Sequence, residues 1–345
     1  MACCKATIDP GESGALGEQL ATIDLGRLIA LARRHRVEGL VWSALGHAGI
    51  ATDAPALAPL ADAARTISHQ GLRAAAESAR LHSMFASAGI DLVFLKGLAV
   101  GQLAYGNPFV KMSWDIDLLV APGDVSAAAD LLRRLDYRCS LPGERADLVA
   151  WHAANKESVW QGSGGVHHVE LHSRLADNGE LIAGIGMGSP RQAVTIAPGI
   201  ELPTLATDEL FAYLCVHGAS SAWFRLKWVA DFAGLLRGRG GDEVERLYRR
   251  SQQLGAARSA AQALLVTDAL FGLPLPRDLR AELKRSAANR WLAAAALREL
   301  AAPRAPTERR LGTAAIHLSQ LLLKPGASFA GRELLRQARA AIANR

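Results

Sequence analysis

The strongest constraint on the fold is a double change in hydrophobic periodicity along the chain. From Asp24 to about Ser87 apolar residues recur at helical spacing, and helical spacing returns after Leu205. Between these regions, short apolar runs bounded by Gly, Pro and Asp have the length and alternation of strands. Ala and Leu supply much of the apolar content and favour helices. We therefore predict an α+β fold that is mostly helical, with a small α/β centre between two helical flanks.

The predicted boundaries divide the chain into an N-terminal helical region at 1–88, an α/β core at 89–204 and a C-terminal helical domain at 205–345. The first 18 residues are rich in glycine and aperiodic, so we expect a frayed terminus there. A long Ala-rich helix is predicted at 57–87, where Gly89 suits the C-terminal cap.

Composition and cysteine spacing exclude several classes of protein. No stretch of about 18 uncharged apolar residues exists, and the N-terminus lacks an apolar signal region, so we expect a cytoplasmic protein with no membrane partner. The four cysteines show no Cys-x-x-Cys spacing, which argues against a disulfide framework or a zinc site. Strand alternation also separates His167 from His168, so these histidines together with His152 and His172 do not form a zinc set.

The central region alternates short strands with short helices. Strands are predicted at 90–95, 115–120 and 166–172, and helices at 98–105 and 125–135. Asp124 is expected to cap the second of these helices. In the third strand, alternation places His168, Glu170 and His172 on one face together with Val166.

The sharpest chemical signal is the pair Asp115 and Asp117 on the second strand. Residues i and i+2 of a strand point to the same face, about 7 Å apart along the backbone. Buried acids are costly unless a cation compensates them, and Mg²⁺ takes carboxylate and phosphate oxygens together. Glu170 on the third strand is a candidate third metal ligand, or a base for an attacking hydroxyl. The alternatives are solvated acids at 115 and 117, and a Glu170 paired with Arg174 or a lysine.

A strand-to-helix junction lies upstream, at Lys96 and Gly97. Glycine lets the backbone approach a phosphate, and the following helix presents free N–H groups. Lys96 would add a point charge to a triphosphate. The alternative is an ordinary turn.

A second group of candidates falls in the predicted helices at 207–218, capped around Thr207, and 222–237. It comprises His217, Trp223, Arg225, Lys227, Trp228 and Asp231. Lys227 and Asp231 are placed to pair at i and i+4, Arg225 or Lys227 to meet a triphosphate or acceptor, and Trp223 to stack on a base. The alternatives are core packing for both tryptophans and a buried, hydrogen-bonded imidazole for His217.

Three segments together resemble the bacterial uncharacterised nucleotidyltransferase family of the polymerase-beta-like superfamily. They are FLKGLAVGQLAYGNPFVKMSWDIDLLV, VELHSRL and LATDELFAYLCVHGASSAWFRLKWVADFAGLL, and the resemblance covers roughly residues 25–240. It implies a small mixed sheet with a helix behind it, Gly97 as the phosphate-turn glycine, and Asp115, Asp117 and Glu170 as metal-holding acids. Leu98 stands where the superfamily has a small polar residue, and Lys111 where the family tends to have Arg.

The function predicted from these features is transfer of NMP from an NTP to an acceptor hydroxyl, with two Mg²⁺ ions and pyrophosphate release. The acceptor is open among small molecules, peptides and proteins, while nucleic acid is disfavoured because no concentrated basic stripe lies near the acids. The alternatives are an antitoxin-type enzyme that modifies a partner protein, and a non-catalytic nucleotide-binding protein. Replacing Asp115 or Asp117 by Asn is expected to abolish transfer and to raise stability without metal.

The C-terminal third is basic. Residues 237–345 hold 20 Lys and Arg against 9 Asp and Glu. We expect this segment to be helical, to pack on the core and to cover the substrate cleft from one side. The alternative is a set of solvated, Arg-rich helix faces.

Overall fold

The computed structural model describes residues 1–14, 16–50, 54–165 and 167–343. These residues form sixteen α-helices and seven β-strands, so the fold is α+β and mostly helical, as predicted. Val166, the first residue of the predicted third strand, lies outside the described residues. In the part of the chain described, no helix has the length and apolar character needed to cross a membrane.

Five helices precede the sheet. They are α1 (Ala2–Ile8), α2 (Leu16–Thr22), α3 (Leu25–His35), α4 (Glu38–His47) and α5 (Ala58–Ser87). The long helix α5 lies within one residue of its prediction, and Gly89 follows it at φ +69°, the left-handed conformation that ends many helices.

The prediction of a frayed N-terminus was wrong. Helix α1 packs against α4 and buries Cys3, Cys4 and Ile8 in the core. Seven residues are too few to form a stable helix alone, so tertiary packing stabilises α1. The sequence analysis missed this helix because glycines follow it closely and because its short apolar face includes cysteines, which behave as small hydrophobic residues. All four cysteines are free and buried.

The central region contains seven strands and three helices. In chain order they are β1 (Val93–Phe94), α6 (Leu98–Tyr105), β2 (Asp115–Leu119), α7 (Val125–Arg134), β3 (Arg138–Leu141), α8 (Leu148–Ala154), β4 (Glu157–Gln161), β5 (His168–His172), β6 (Arg191–Ala197) and β7 (Ile200–Leu205). Five strands form a mixed sheet in the order β1-β2-β5-β4-β3, in which only the β2–β5 pair is parallel. Strands β6 and β7 form a separate antiparallel hairpin.

Sequence analysis found three of these strands and missed β3, β4, β6 and β7. The edge strand β3 exposes three of its four residues, so it carries almost no apolar pattern. The Pro198-Gly199 turn of the β6–β7 hairpin was an available signal. Asp124, expected to cap α7, makes no side-chain capping hydrogen bond.

Eight helices complete the fold. They are α9 (Thr207–Ser220), α10 (Leu226–Leu235), α11 (Gly241–Gln253), α12 (Ala257–Phe271), α13 (Arg277–Arg285), α14 (Ala287–Ala301), α15 (Ala314–Leu321) and α16 (Ala327–Ala343). Helix α10 is shorter than predicted because Ala222 and Trp223 adopt φ +47° and +52°, which no right-handed helix accommodates. Ala206 rather than Thr207 caps α9, without a side-chain hydrogen bond.

Two apolar clusters hold the molecule together. One lies between the sheet, α5 and α7. The other joins residues of the N-terminal helices, α6 and the C-terminal helices as far as Phe329. The helical flanks therefore share one core, and the cleft described below lies where this core meets the sheet.

Candidate functional site

The acids of β2 and β5 meet because these two strands are parallel neighbours. Asp115 pairs in register with His168, and Asp117 with Glu170. Because alternate residues share a face, Asp115, Asp117, Glu170 and His172 lie on one side of the sheet. Sequence analysis gave each strand its face, but the adjacency of two strands about 50 residues apart comes from the tertiary structure.

Lys96 and His172 both contact Asp117. The Lys96 Nζ atom lies 2.7 Å from Asp117 Oδ1 and 3.9 Å from Glu170 Oε2. The His172 Nε2 atom lies 3.2 Å from the same Asp117 oxygen and 3.5 Å from Glu170 Oε2. Lys96, predicted to meet a triphosphate, here neutralises an acid.

These contacts shift the pKa values of the acids in opposite directions. Burial alone would raise the pKa of Asp117, but Lys96 and His172 hold it well below its usual range. The pKa of Asp115 is raised by burial and by the charge of Asp117. Burial is also the main reason that the pKa of Glu170 is raised. One acid of the group is thus firmly ionised, while two accept a proton more readily.

Lys156 and Glu157, at the start of β4, add a further pair of charges beside His172. The sequence analysis did not predict either residue for the site. Glu157 Oε2 lies 3.3 Å from His172 Nδ1 and 2.8 Å from Lys156 Nζ. Burial disfavours the imidazolium of His172, yet the hydrogen bonds to Asp117 and Glu170 raise its pKa above the ordinary value. The period-2 pattern of β4, with Glu157 and Val159 on one face, was the only signal for this residue.

The turn at Gly97 is the predicted strand-to-helix junction and requires glycine. Gly97 has φ +64°, and a Cβ there would lie 3.0 Å from Ser113 Oγ. The Ser113 hydroxyl donates to the Asp115 carbonyl, 3.2 Å away, so the crowding atom is itself held in place. The turn thus presents the N-terminal N–H groups of α6 beside β2.

These acids lie in a cleft of about 220 Å³ that is also lined by cations from several elements. These cations are Arg36, Lys96, Lys111, Lys156 and Lys227. Arg36, which follows α3, was not among the residues predicted for the site. The structure distinguishes Arg36 by its backbone, which is left-handed at φ +55° although the residue is not glycine.

The predicted pair between Lys227 and Asp231 is not formed. Asp231 instead lies 3.1 Å from Lys111 Nζ and accepts a hydrogen bond of 2.9 Å from Tyr105. Lys111 arrives from the loop before β2, which helical spacing on α10 does not reveal. Burial and the nearby charge of Lys111 lower the pKa of Lys227 to about 7.

The aromatic candidates divide between core and cleft. Trp223 is 1% exposed and packs edge-on against Phe232, so it does not offer a face to a base. Trp228 lines the cleft together with His217, and their ring centroids lie 5.7 Å apart. Burial lowers the pKa of His217 well below its ordinary value, so its imidazole is neutral.

Arg225 lies outside the cleft lining and stacks over Phe224, 5.1 Å from the ring centroid. The basic tail also stays away from the cleft, whose lining ends at Asp231 among the described residues. Its cations pair within the C-terminal helices, as in Arg249–Glu282 at 2.6 Å and Arg280–Asp268 at 2.9 Å, or with Glu180 of the central region, as Arg332 does. The expectation that this segment covers the cleft was therefore wrong.

A second cleft opens on the other side of Asp115. It measures about 210 Å³ and shares Ser113, Trp114 and Asp115 with the first. Trp114 is 50% exposed at the border of the two clefts and was not predicted as a site residue. Arg73 and His168 also line this second cleft.

The donor set suits a divalent cation. One ligand atom each from Asp117, Glu170 and His172 lies within 4.8 Å of the others, and Asp115 lies on the same face outside this cluster. Carboxylate oxygens are the ligands that Mg²⁺ prefers, and the Lys96 ammonium already occupies a position beside Asp117 where positive charge is favoured.

Comparison with known proteins agrees with this chemistry. A family model described as "Uncharacterised nucleotidyltransferase" matches residues 21–272. No curated protein matches the chain significantly. The matched range runs from α2 to the residue after α12, and it includes both the sheet and the helices that line the cleft. The chain therefore belongs to the uncharacterised nucleotidyltransferase family and is a nucleotidyltransferase.

Proposed function

We propose that the protein transfers NMP from a magnesium-bound NTP to an acceptor hydroxyl and releases pyrophosphate. The observation that carries this proposal is one cleft that brings carboxylates of two adjacent strands together with five cations. Transfer of a phosphoryl group needs charge neutralisation and positioning rather than a covalent intermediate.

The phosphates of the donor NTP would lie beside the cations that line the cleft. Phosphate oxygens would accept hydrogen bonds from the backbone N–H groups at the start of α6 and from the ammonium groups of Lys111 and Lys227. Asp231 and Tyr105 act through Lys111, because their contacts hold its ammonium in position.

The acids would hold the metal. Asp115, Asp117 and Glu170 are the proposed ligands, with two Mg²⁺ ions expected. Bound Mg²⁺ supplies neutralisation of the charge on the transferring phosphoryl group. Lys96 must then give up its contact with Asp117, and the nearest phosphate oxygens offer its ammonium a new partner.

The reaction itself exchanges one bond at the α-phosphorus for another. The acceptor oxygen forms a bond to this phosphorus, the bond to the bridging oxygen of the β-phosphate breaks, and pyrophosphate leaves with that oxygen. The hydroxyl proton passes to Glu170 in its ionised form or to water. Because nucleophile and leaving group lie roughly in line, the second cleft beside Trp114 is the route we assign to the acceptor.

The test uses each α-labelled NTP with Mg²⁺ and three fractions of a cell extract, containing small molecules, peptides and proteins. We expect pyrophosphate release and label in one fraction, both lost with EDTA and with Asp117→Asn. The matched control is Asp130→Asn, which replaces an exposed aspartate on α7.

The labelled fraction identifies the acceptor class. Label in a protein would favour the antitoxin-type alternative. Metal-dependent NTP binding without transfer to any fraction would contradict the proposal and favour the non-catalytic alternative.

A further inference from the structure

Arg36 and Lys227 differ from the other cations of the cleft in making no ion pair with an acid among the described residues. Lys96, Lys111 and Lys156 each lie within 3.1 Å of a carboxylate oxygen. For Arg36 and Lys227, no carboxylate oxygen among the described residues lies within 4 Å. Positive charge therefore remains at this end of the cleft after the internal pairs are counted.

The charged form of Lys227 lowers the stability of the protein when no anion is bound in the cleft. Its side chain is partly buried, it makes no hydrogen bond among the described groups, and Lys111 repels it, while Asp231, the acid that attracts it, is paired with Lys111. A buried ammonium next to like charge is destabilising unless an anion joins it. The same position is favourable once a multiply charged anion fills the cleft.

Arg36 is held in a strained backbone conformation. It has φ +55° and ψ +47°, in the left-handed region that is unfavourable for a residue other than glycine. Glycine or asparagine would cap α3 there with less strain. A strained residue with an uncommitted charge in a cleft indicates a ligand for that charge.

The two cations lie on elements that are anchored to each other. The Leu226 amide donates to His35 Nδ1 over 3.2 Å, and Arg34 donates to the Phe224 carbonyl over 3.2 Å. These contacts attach the end of α3 to the start of α10. Arg36 and Lys227 are thus placed at one end of the cleft by rigid neighbours.

We propose that Arg36 and Lys227 form a polyphosphate subsite that binds the β- and γ-phosphates of the donor. This inference rests on the proposed function for the identity of its ligand. It makes the end of α3 part of the active site, and it makes the released pyrophosphate a ligand of the same subsite.

The test measures inorganic tripolyphosphate binding by titration calorimetry, with EDTA and with Mg²⁺. We expect Arg36→Gly and Lys227→Met each to weaken binding at least tenfold, and each to reduce its dependence on salt concentration. Glycine accepts φ +55°, so Arg36→Gly removes the guanidinium without adding strain.

Arg36→Asn, which also tolerates this conformation, is a second variant in case the first misfolds. Arg33→Ala, an exposed arginine on the same helix, is the matched control and should bind like the original chain.

Binding within twofold of the original chain in both cleft variants would overturn the subsite, as would the absence of any tripolyphosphate binding. The measurement is independent of transfer, because tripolyphosphate carries no nucleoside. If no NTP supports transfer but tripolyphosphate binding depends on Arg36 and Lys227, the proposed function fails and the anion subsite stands.

Discussion

At the level of single residues, Asp115 and Asp117 have opposite environments although they share a face of β2. Asp117 is buried between Lys96 and His172, whereas Asp115 has no cation within 4 Å among the described residues. From the sequence, both aspartates were expected to raise stability when neutralised. The ion pair with Lys96 reverses that expectation for Asp117.

We predict that Asp117→Asn and Asp115→Asn both abolish transfer but move the melting temperature in opposite directions. Asp117→Asn leaves the Lys96 ammonium buried without its nearest partner, which costs about 3–5 kcal/mol in comparable pairs. Asp115→Asn removes repulsion between like charges and should raise the melting temperature slightly. Differential scanning calorimetry in EDTA measures both. A higher melting temperature for Asp117→Asn would contradict the role given to Lys96.

Replacing Gly97 by alanine tests whether the strand-to-helix turn requires glycine. We predict that Gly97→Ala lowers stability by more than the roughly 1 kcal/mol that an ordinary left-handed residue costs. Gly97 has φ +64° with ψ −123°, which lies outside the left-handed helical region, and its added Cβ would meet Ser113 Oγ at 3.0 Å. Gly97→Ala should also weaken NTP binding. Gly106→Ala is the matched control, since Gly106 has φ +68° and open space around the added Cβ. Equal unfolding free energies for the two variants in urea would show that neither the contact with Ser113 nor the backbone angles of Gly97 add to the cost.

At the level of elements, α10 carries charge into the cleft on one face and packs against the core on the other. Val229 and Phe232 are fully buried, while Lys227 and Asp231 line the cleft. The helix can bear a poorly solvated lysine because its apolar face contributes packing energy from the same few turns.

We predict that Lys227→Met raises the melting temperature at pH 7 by roughly 2–5 °C. The pKa of Lys227 is about 7 in the folded protein and about 10.4 in the unfolded chain. Between these values the unfolded chain binds more protons, so the stability of the original protein rises with pH. The variant lacks this rise, and its advantage should shrink toward pH 10. The other charges near Lys227 are Lys111, Asp231, Arg36 and Lys96, and they are common to both proteins.

Melting curves from pH 6 to pH 10 test this prediction. Lys284→Met, at an exposed lysine of α13, is the control and should leave the pH profile unchanged. An identical profile for Lys227→Met and the original chain would mean that Lys227 is as well solvated as Lys284.

At the level of the whole molecule, the C-terminal helices complete the core rather than the cleft. Helix α12 packs against α9, α10 and α14, and it buries Leu264 in the same cluster as α1 and α4. The helices that line the cleft therefore depend on a layer that never contacts the site.

We predict that a chain ending at Arg237 aggregates or binds a hydrophobic dye, because it exposes the faces of α9 and α10 that α11 and α12 cover. A chain ending at Lys324, which lacks α16 alone, should remain folded with a smaller loss of stability. Size-exclusion chromatography and dye fluorescence compare the two. A monomeric, fully active chain ending at Arg237 would make the tail a separate module.

Sequence alone determined the features that depend on local pattern. Helical spacing located α5 and α6. Alternation put Asp115 and Asp117 on one face of β2 and Glu170 with His172 on one face of β5, and the glycine at 97 indicated a strand-to-helix turn. These conclusions hold because side-chain direction and backbone conformation follow from residues within a few positions of each other.

Tertiary structure decided how these pieces combine. Strand β5 lies beside β2 rather than elsewhere in the sheet, Lys111 rather than Lys227 pairs with Asp231, and Arg36 enters the cleft from the N-terminal helices. The sequence leaves such choices open because long loops cost little more free energy to close than short ones, so separation along the chain hardly restricts which charges and strands meet. Packing and charge pairing in the assembled core select among them.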